Sequence, residues 1–85
     1  MNFKQWHESV KARDNETCQV CGIVGDLESH HVFGRLGALR TDIDNGIYLC
    51  QACHYIAHQN LKQFREWWSE TYPERAERLK RKGAK

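Results

Sequence analysis

The sequence of residues 18–58 is CQVCGIVGDLESHHVFGRLGALRTDIDNGIYLCQACHYIAH, and it contains two Cys-x2-Cys pairs. Cys18 and Cys21 form the first pair, and Cys50 and Cys53 form the second. A structural zinc site has four tetrahedral ligands, and a tight turn with two cysteines supplies two of them. We therefore predict one structural Zn²⁺ site in which four cysteines leave no position open for water. A redox function of one pair would not explain the presence of the other.

The segments between the two pairs predict a hairpin followed by a helix. Residues 27–33 are a plausible strand and residues 47–50 a second one, and the glycine-containing segment 34–46 indicates a loop between them. Residues 51–59 are predicted to form a short helix at the second cysteine pair. A zinc ion would then tether the segment before the first strand to the start of this helix.

Four of the five histidines are placed so that they could converge on this hairpin. His30 and His31 are adjacent on the first strand, whereas His54 and His58 are four residues apart on one helical face. Two ring nitrogens from a helix and one from a strand can bind a metal ion and leave positions open for water and substrate. Adjacent side chains of a flat strand point to opposite faces. His30 and His31 can therefore serve one cleft only if the strand is distorted or ends there.

Four motifs, taken in order, resemble those of the HNH nucleases. They are Cys18-x2-Cys21, Ser29-His30-His31-Val32, Asp44-Asn45-Gly46-Ile47-Tyr48-Leu49-Cys50 and Cys53-His54-x3-His58. More narrowly, the chain looks like the cysteine-bearing, phage- and bacteria-associated members of this ββα-metal superfamily. The resemblance covers about residues 18–58, and it implies an α+β fold with a ββα-metal core, a four-cysteine zinc site and flanking helices.

The resemblance also implies a role for each of five site residues. His31 would be the general base, and His30 and His54 would be metal ligands. Asn45, the middle letter of the motif, would brace the loop and orient the base. His58 matches the extra helical histidine of colicin-type DNases, which many cysteine-bearing members lack, and it would be a third ligand.

The activity that the resemblance implies is metal-dependent hydrolysis of nucleic-acid phosphodiester bonds by a histidine base and one divalent metal, with DNA as the expected substrate and RNA as the alternative. The products would carry 5′-phosphate and 3′-hydroxyl ends. Nitrogen-rich ligation favours Zn²⁺, Ni²⁺, Co²⁺ or Mn²⁺ over Mg²⁺. One alternative is a non-catalytic zinc module that binds nucleic acid or a protein partner, although it gives no reason for the histidines. Another is an HNH fold retained as a scaffold without a second metal.

Two features of the loop between the strands have alternative explanations. Asn45-Gly46 is a common tight-turn pair, so backbone geometry alone could account for Asn45. Arg35 and Arg40 could hold the scissile phosphate through a bidentate contact. The competing explanation for both arginines is simple solvation at the surface.

Helices are predicted on both sides of the motif region. Residues 2–13 have an amphipathic pattern that includes His7, which we expect to be a surface or satisfied residue without a partner. Asn60 is a good N-cap for a helix at 61–72, and Pro73 can begin a last helix. The second helix carries an aromatic stripe that could stack on bases but is expected to pack in the core: Phe64, Trp67, Trp68 and Tyr72.

Size and charge set the remaining expectations. The 85 residues suit one domain (1–85), of a size that usually needs a disulfide or a bound metal for stability. The net charge of +2 is weak support for a nucleic-acid partner. No signal peptide or membrane span is apparent, so we expect the protein to lie in the reducing cytoplasm of a bacterial or phage-infected cell. We expect a monomer or a homodimer. Residues 74–85 carry a net charge of +4, as a phosphate-binding arm or a solvated helix end. The basic residues are Arg75, Arg78, Lys80, Arg81, Lys82 and Lys85.

Overall fold

The computed structural model describes residues 1–83 and confirms the predicted α+β fold. Its elements, in chain order, are α1 (Phe3–Arg13), β1 (Glu28–His31), β2 (Gly46–Leu49), α2 (Gln51–Gln59), α3 (Leu61–Thr71) and α4 (Pro73–Arg81). Two short 3₁₀ turns, Gly37–Thr41 and Ile43–Asn45, lie between the strands. Within the described chain, no helix is both long and apolar enough to cross a membrane.

The two strands form an antiparallel hairpin that is shorter than the sequence predicts. His30 pairs with Ile47 and His31 pairs with Gly46, and β1 ends at this point. The backbone N–H of Val32 still donates to the carbonyl oxygen of Asn45 at 2.9 Å, but the ladder stops there because the N–H of Asn45 donates to the carbonyl oxygen of Asp42 at 3.0 Å and not to Val32. The end of β1 at His31 meets the condition under which two adjacent histidines can serve one cleft.

Strand β2 is buried on both of its faces, and a separate group of apolar side chains covers each face. Tyr48 packs with Trp6 and Val10 of α1. The other side chains of β2 pack in the larger cluster with α2, α3 and α4, which consists of Cys18, Val32, Ile47, Leu49, Ala57, Trp68 and Leu79. Trp68 is fully buried, and the rest of its aromatic stripe packs against this cluster, so the prediction that the stripe is core is confirmed.

The helix ends follow the sequence predictions with one exception. Asn2 caps α1 by accepting a hydrogen bond from the N–H of Gln5 at 2.8 Å, and Oε1 of Gln5 accepts one from the N–H of Asn2 at 2.9 Å. Pro73 begins α4, as predicted. Asn60 precedes α3, but its side chain donates to the carbonyl oxygen of Ile56 at 3.0 Å and does not cap α3. The predicted side-chain cap is therefore wrong, because the Asn60 amide is bonded to the last turn of α2.

Two cations at the C-terminal end of α4 form ion pairs with acidic residues of the loop before β2. Arg78 makes two hydrogen bonds to the carboxylate of Asp44 at 2.9 and 3.0 Å, and its guanidinium lowers the pKa of that carboxyl. Lys82 lies 3.0 Å from both Asp42 and Asp44. These ion pairs argue against a free phosphate-binding arm built from these two cations. Lys85 lies outside the described residues.

Gly46 allows α1 to approach the hairpin closely. Its backbone is extended, with φ −106° and ψ 148°, so Asn45-Gly46 is not a tight turn and that explanation of the pair is wrong. A Cβ atom at Gly46 would lie 2.5 Å from Cγ2 of Val10 and 2.7 Å from Cζ2 of Trp6. The glycine is required by packing and not by a left-handed conformation.

Substitution Gly46→Ala is expected to destabilise the fold by about 1–3 kcal/mol, as overpacking of a filled core generally does. The measurement is the free energy of unfolding by urea, followed by circular dichroism. Val10→Ala removes the closest methyl group, so the cost of Gly46→Ala should be smaller in that background. An equal cost in both backgrounds would show that the contact with Val10 is not the cause.

Candidate metal sites and cleft

The four cysteines lie close together at the base of the hairpin. Cys18 and Cys21 precede β1, and the side chain of Cys50 caps the start of α2, one turn before Cys53. All four sulfur atoms lie within 4.8 Å of one another, and the sulfurs of Cys21 and Cys50 are 3.7 Å apart. Two sulfurs bound to tetrahedral zinc at about 2.3 Å are separated by about 3.8 Å. The four sulfurs therefore fit a Zn²⁺ ion.

The electrostatics of this cluster also favour a bound cation. Burial disfavours the thiolate of Cys18, but backbone N–H groups, including that of Cys21, point at its sulfur and lower its pKa to about 6. Burial and the neighbouring thiols raise the pKa of Cys53. A first thiolate thus opposes ionisation of the next one. A divalent cation reverses this because it stabilises all four thiolates together.

His30, His54 and His58 form a second group, on the other side of the hairpin from α1. One ring nitrogen from each lies within 4.8 Å of the others, and the two Nε2 atoms of His54 and His58 are 3.2 Å apart. This separation is close to about 3.3 Å, the distance expected between the nitrogen atoms of two imidazoles bound to one tetrahedral zinc ion. The structure therefore brings together the three histidines that the sequence predicts as ligands.

The environment of His30 is unusual for a histidine. Its side chain is 1% exposed, and neither ring nitrogen has a hydrogen-bond partner among residues 1–83. Burial lowers its pKa to about 3, and repulsion from His54 and His58 whenever those rings are protonated adds to this effect, so the His30 ring is neutral at pH 7. A buried polar atom without a partner is costly, and a neutral imidazole has a lone pair for a metal ion. A metal ion would satisfy one nitrogen of His30.

Glu28 is a site residue that the sequence analysis missed. Its Oε1 lies 2.6 Å from Nδ1 of His54. A carboxylate can only accept, so Nδ1–H donates and Nε2 keeps the lone pair that faces His58. Carboxylates hold metal-binding histidines in this way in many proteins. The alternation of side chains along a strand could have identified it, because this alternation places Glu28 on the same face of β1 as His30.

His31 points to the opposite face of β1, toward α1. Its ring stacks on Trp6, with centroids 4.0 Å apart and planes inclined by 8°. Nε2 lies 2.9 Å from the carbonyl oxygen of Arg40, so this nitrogen donates and Nδ1 is left able to accept a proton. Burial lowers the pKa of His31, and the charge of Arg35 lowers it further, against the effect of the hydrogen bond to Arg40. The ring is therefore a neutral base at pH 7.

Asn45 fixes the loop that leads from His31 to Arg40. The residue is fully buried, and its Oδ1 accepts a hydrogen bond from the N–H of Phe33 at 2.9 Å. Its Nδ2 donates to the carbonyl oxygens of Gly34 and Leu39 at 2.9 and 3.0 Å. Because Leu39 precedes Arg40, these bonds hold the carbonyl that orients His31.

One open cleft of about 680 Å³ brings residues from both faces of the hairpin together. His31 and Arg35 line it with His54 and His58. His7 also lines it, with its Nδ1 2.6 Å from Oγ of Ser29, so the expectation that His7 has no partner is wrong. Nothing in the local sequence links His7 to Ser29, since their contact depends on how α1 packs on the hairpin.

A comparison with protein-family models matches residues 18–60 to the HNH endonuclease family. No curated protein and no solved structure matches the chain. The family match covers just over half of the chain and includes all four cysteines and the four histidines of the hairpin and α2. The chain therefore belongs to the HNH endonuclease family.

Proposed function

We propose that this protein is a metal-dependent endonuclease that hydrolyses phosphodiester bonds in DNA. In this proposal the four cysteines hold a structural Zn²⁺ ion, and His30, His54 and His58 hold one catalytic divalent cation. The observation that carries the proposal is the buried imidazole of His30, which has no hydrogen-bond partner among residues 1–83 and converges with two further ring nitrogens beside an open cleft. A purely structural histidine cluster would satisfy its buried nitrogens within the protein.

The chain's own residues supply the proton transfer and hold the cation. Nδ1 of His31 takes a proton from the attacking water, while its Nε2–H stays bonded to the carbonyl of Arg40. Asn45 keeps that carbonyl in place, and Glu28 keeps Nε2 of His54 directed at the cation site. A divalent cation bound there supplies Lewis-acid stabilisation of the phosphoryl oxygens and of the leaving oxygen.

Arg35 is the arginine best placed to hold the substrate phosphate. It is exposed and lines the cleft with His31, whereas Arg40 contributes its backbone carbonyl to His31. A guanidinium can bind two phosphate oxygens at once, which a lysine ammonium cannot do in the same geometry. Both loop arginines have the same candidate role on sequence grounds, whereas we now propose different roles for them.

Arg35→Ala is expected to lower kcat/KM by about 10- to 150-fold, since a hydrogen bond to a charged group contributes about 1.5–3 kcal/mol. Arg35→Lys should recover part of this loss because it keeps the charge. Arg40→Ala is the matched control, since the variant retains the backbone carbonyl. The measurement is cleavage of an end-labelled DNA under single-turnover conditions. Similar losses in Arg35→Ala and Arg40→Ala would argue against a specific phosphate contact.

The decisive experiment for the proposed function is nicking of a supercoiled plasmid across divalent metals, with and without a chelator. Wild type should nick the plasmid only when a divalent metal is present. His54→Ala should lose both nicking and the second bound metal, because it removes a ligand. A wild-type protein that binds DNA but cuts none with any metal would support the alternative of a non-catalytic zinc module.

A further inference from the structure

Phe3 lies at the mouth of the cleft with much of its ring uncovered. Trp6 and Val10 of the same helix are fully buried, but Phe3 is 49% exposed. It lines the cleft that contains His31 and Arg35, and its ring centroid lies 6.1 Å from that of His31. A single exposed aromatic ring is ordinary on a protein surface. The Phe3 ring, however, lies beside the proposed catalytic base, where a bound substrate would contact it.

The position of the Phe3 ring is fixed before any ligand binds. Phe3 is the first residue of α1, where Asn2 and Gln5 exchange two hydrogen bonds across the helix start. The ring packs on Trp6 with centroids 5.6 Å apart and lies nearly parallel to the ring of His7, inclined by 12°. A ligand that stacks on Phe3 therefore loses little affinity to the ordering of this side chain.

The chemistry that suits such a ring is a flat heterocycle. A DNA strand with its phosphate between Arg35 and the histidines has a nucleobase within reach of Phe3, since each base is one sugar away from its phosphate. Every base has a π-face that can stack on an aromatic side chain. In a duplex both faces are covered by neighbouring bases, so only an unpaired base can stack in this way.

We propose that Phe3 is a stacking platform for a nucleobase next to the scissile phosphate, so that the cleft binds single-stranded or locally unpaired DNA more tightly than duplex. This inference rests on the proposed function for its substrate strand. It adds a subsite and a substrate class to that function. It also explains why an aromatic residue is exposed at the first turn of α1.

The test is equilibrium binding of fluorescent oligothymidylate by anisotropy, without added divalent metal and in a His31→Gln background, which slows cleavage and keeps a side chain beside Trp6. Phe3→Ala and Phe3→Leu should lower affinity for the single strand by about 5- to 150-fold, the range for losing one stacked base. Phe3→Trp should retain the affinity. Tyr55→Ala is the matched control, because Tyr55 is 65% exposed on α2 and does not line the cleft.

Two further probes identify the contact as stacking. A strand of abasic nucleotides should bind the protein with Phe3 and the Phe3→Ala variant with equal affinity, because it has no base to stack. A duplex of the same length should bind more weakly than the single strand and lose less affinity in Phe3→Ala. The proposal is overturned if Phe3→Ala, folded by circular dichroism, binds oligothymidylate as tightly as Tyr55→Ala does, or loses as much affinity for the abasic strand. Because binding is measured without cleavage, a lack of nuclease activity in wild type counts against the proposed function alone.

Discussion

We expect Cys50→Ser to unfold most of the domain, because it removes one ligand of the proposed zinc site. The rest of the local structure can still form. Serine is a good N-cap residue, so its hydroxyl can replace the sulfur in accepting the N–H of Cys53, now 3.4 Å away, and α2 remains capped. The loss is therefore specific to the metal. Zinc binding in small domains is worth about 10–16 kcal/mol. This is comparable to the whole stability of a typical domain, about 5–15 kcal/mol.

Thermal unfolding by circular dichroism and the zinc content of purified protein measure this effect. Wild type should hold one tightly bound zinc and unfold cooperatively, whereas Cys50→Ser should show little structure at room temperature. Ala52→Ser is the control, since Ala52 is exposed within the same turn and provides no ligand. A Cys50→Ser variant that is folded and melts like Ala52→Ser would exclude a structural zinc site.

The parts of the site that could be predicted from the sequence depend on local spacing. Cysteines three residues apart can bind one ion whatever the fold around them, and His54 and His58 share a helical face because of the helix period. The structure brings both groups together, within 4.8 Å in each case. The helices and strands were also predictable, since their apolar periodicity and the glycine and proline positions are local properties.

The parts that could not be predicted depend on contacts between distant segments. The stacking of His31 on Trp6 and the bond from His7 to Ser29 exist only because α1 packs on the hairpin. The need for Gly46 follows from the same packing, which the local sequence presents as a turn. Asn60 shows the converse case, in which a good capping residue bonds to the preceding helix instead.

We expect His31→Ala to reduce the proposed DNA cleavage by about 10²–10⁴-fold, the usual contribution of a general base. The substitution removes the only nitrogen of this residue that can accept a proton, Nδ1, and leaves the three histidines of the proposed cation site in place: His30, His54 and His58. Zinc content, binding of the second metal and affinity for DNA should therefore stay close to wild type. His54→Ala should differ, because it lowers cleavage and the affinity for the second metal together.

Because the His31 ring stacks on Trp6, His31→Ala also removes packing, and a second variant is needed to separate the two effects. His31→Gln has a side chain of similar length that can donate to the carbonyl of Arg40, but its amide cannot accept a proton at neutral pH. It should fold like wild type and cut as slowly as His31→Ala. Single-turnover cleavage, measured with metal titration by calorimetry, tests both variants. If His31→Gln cuts at the wild-type rate, His31 is not the base, and the proton must be taken by another group in the cleft.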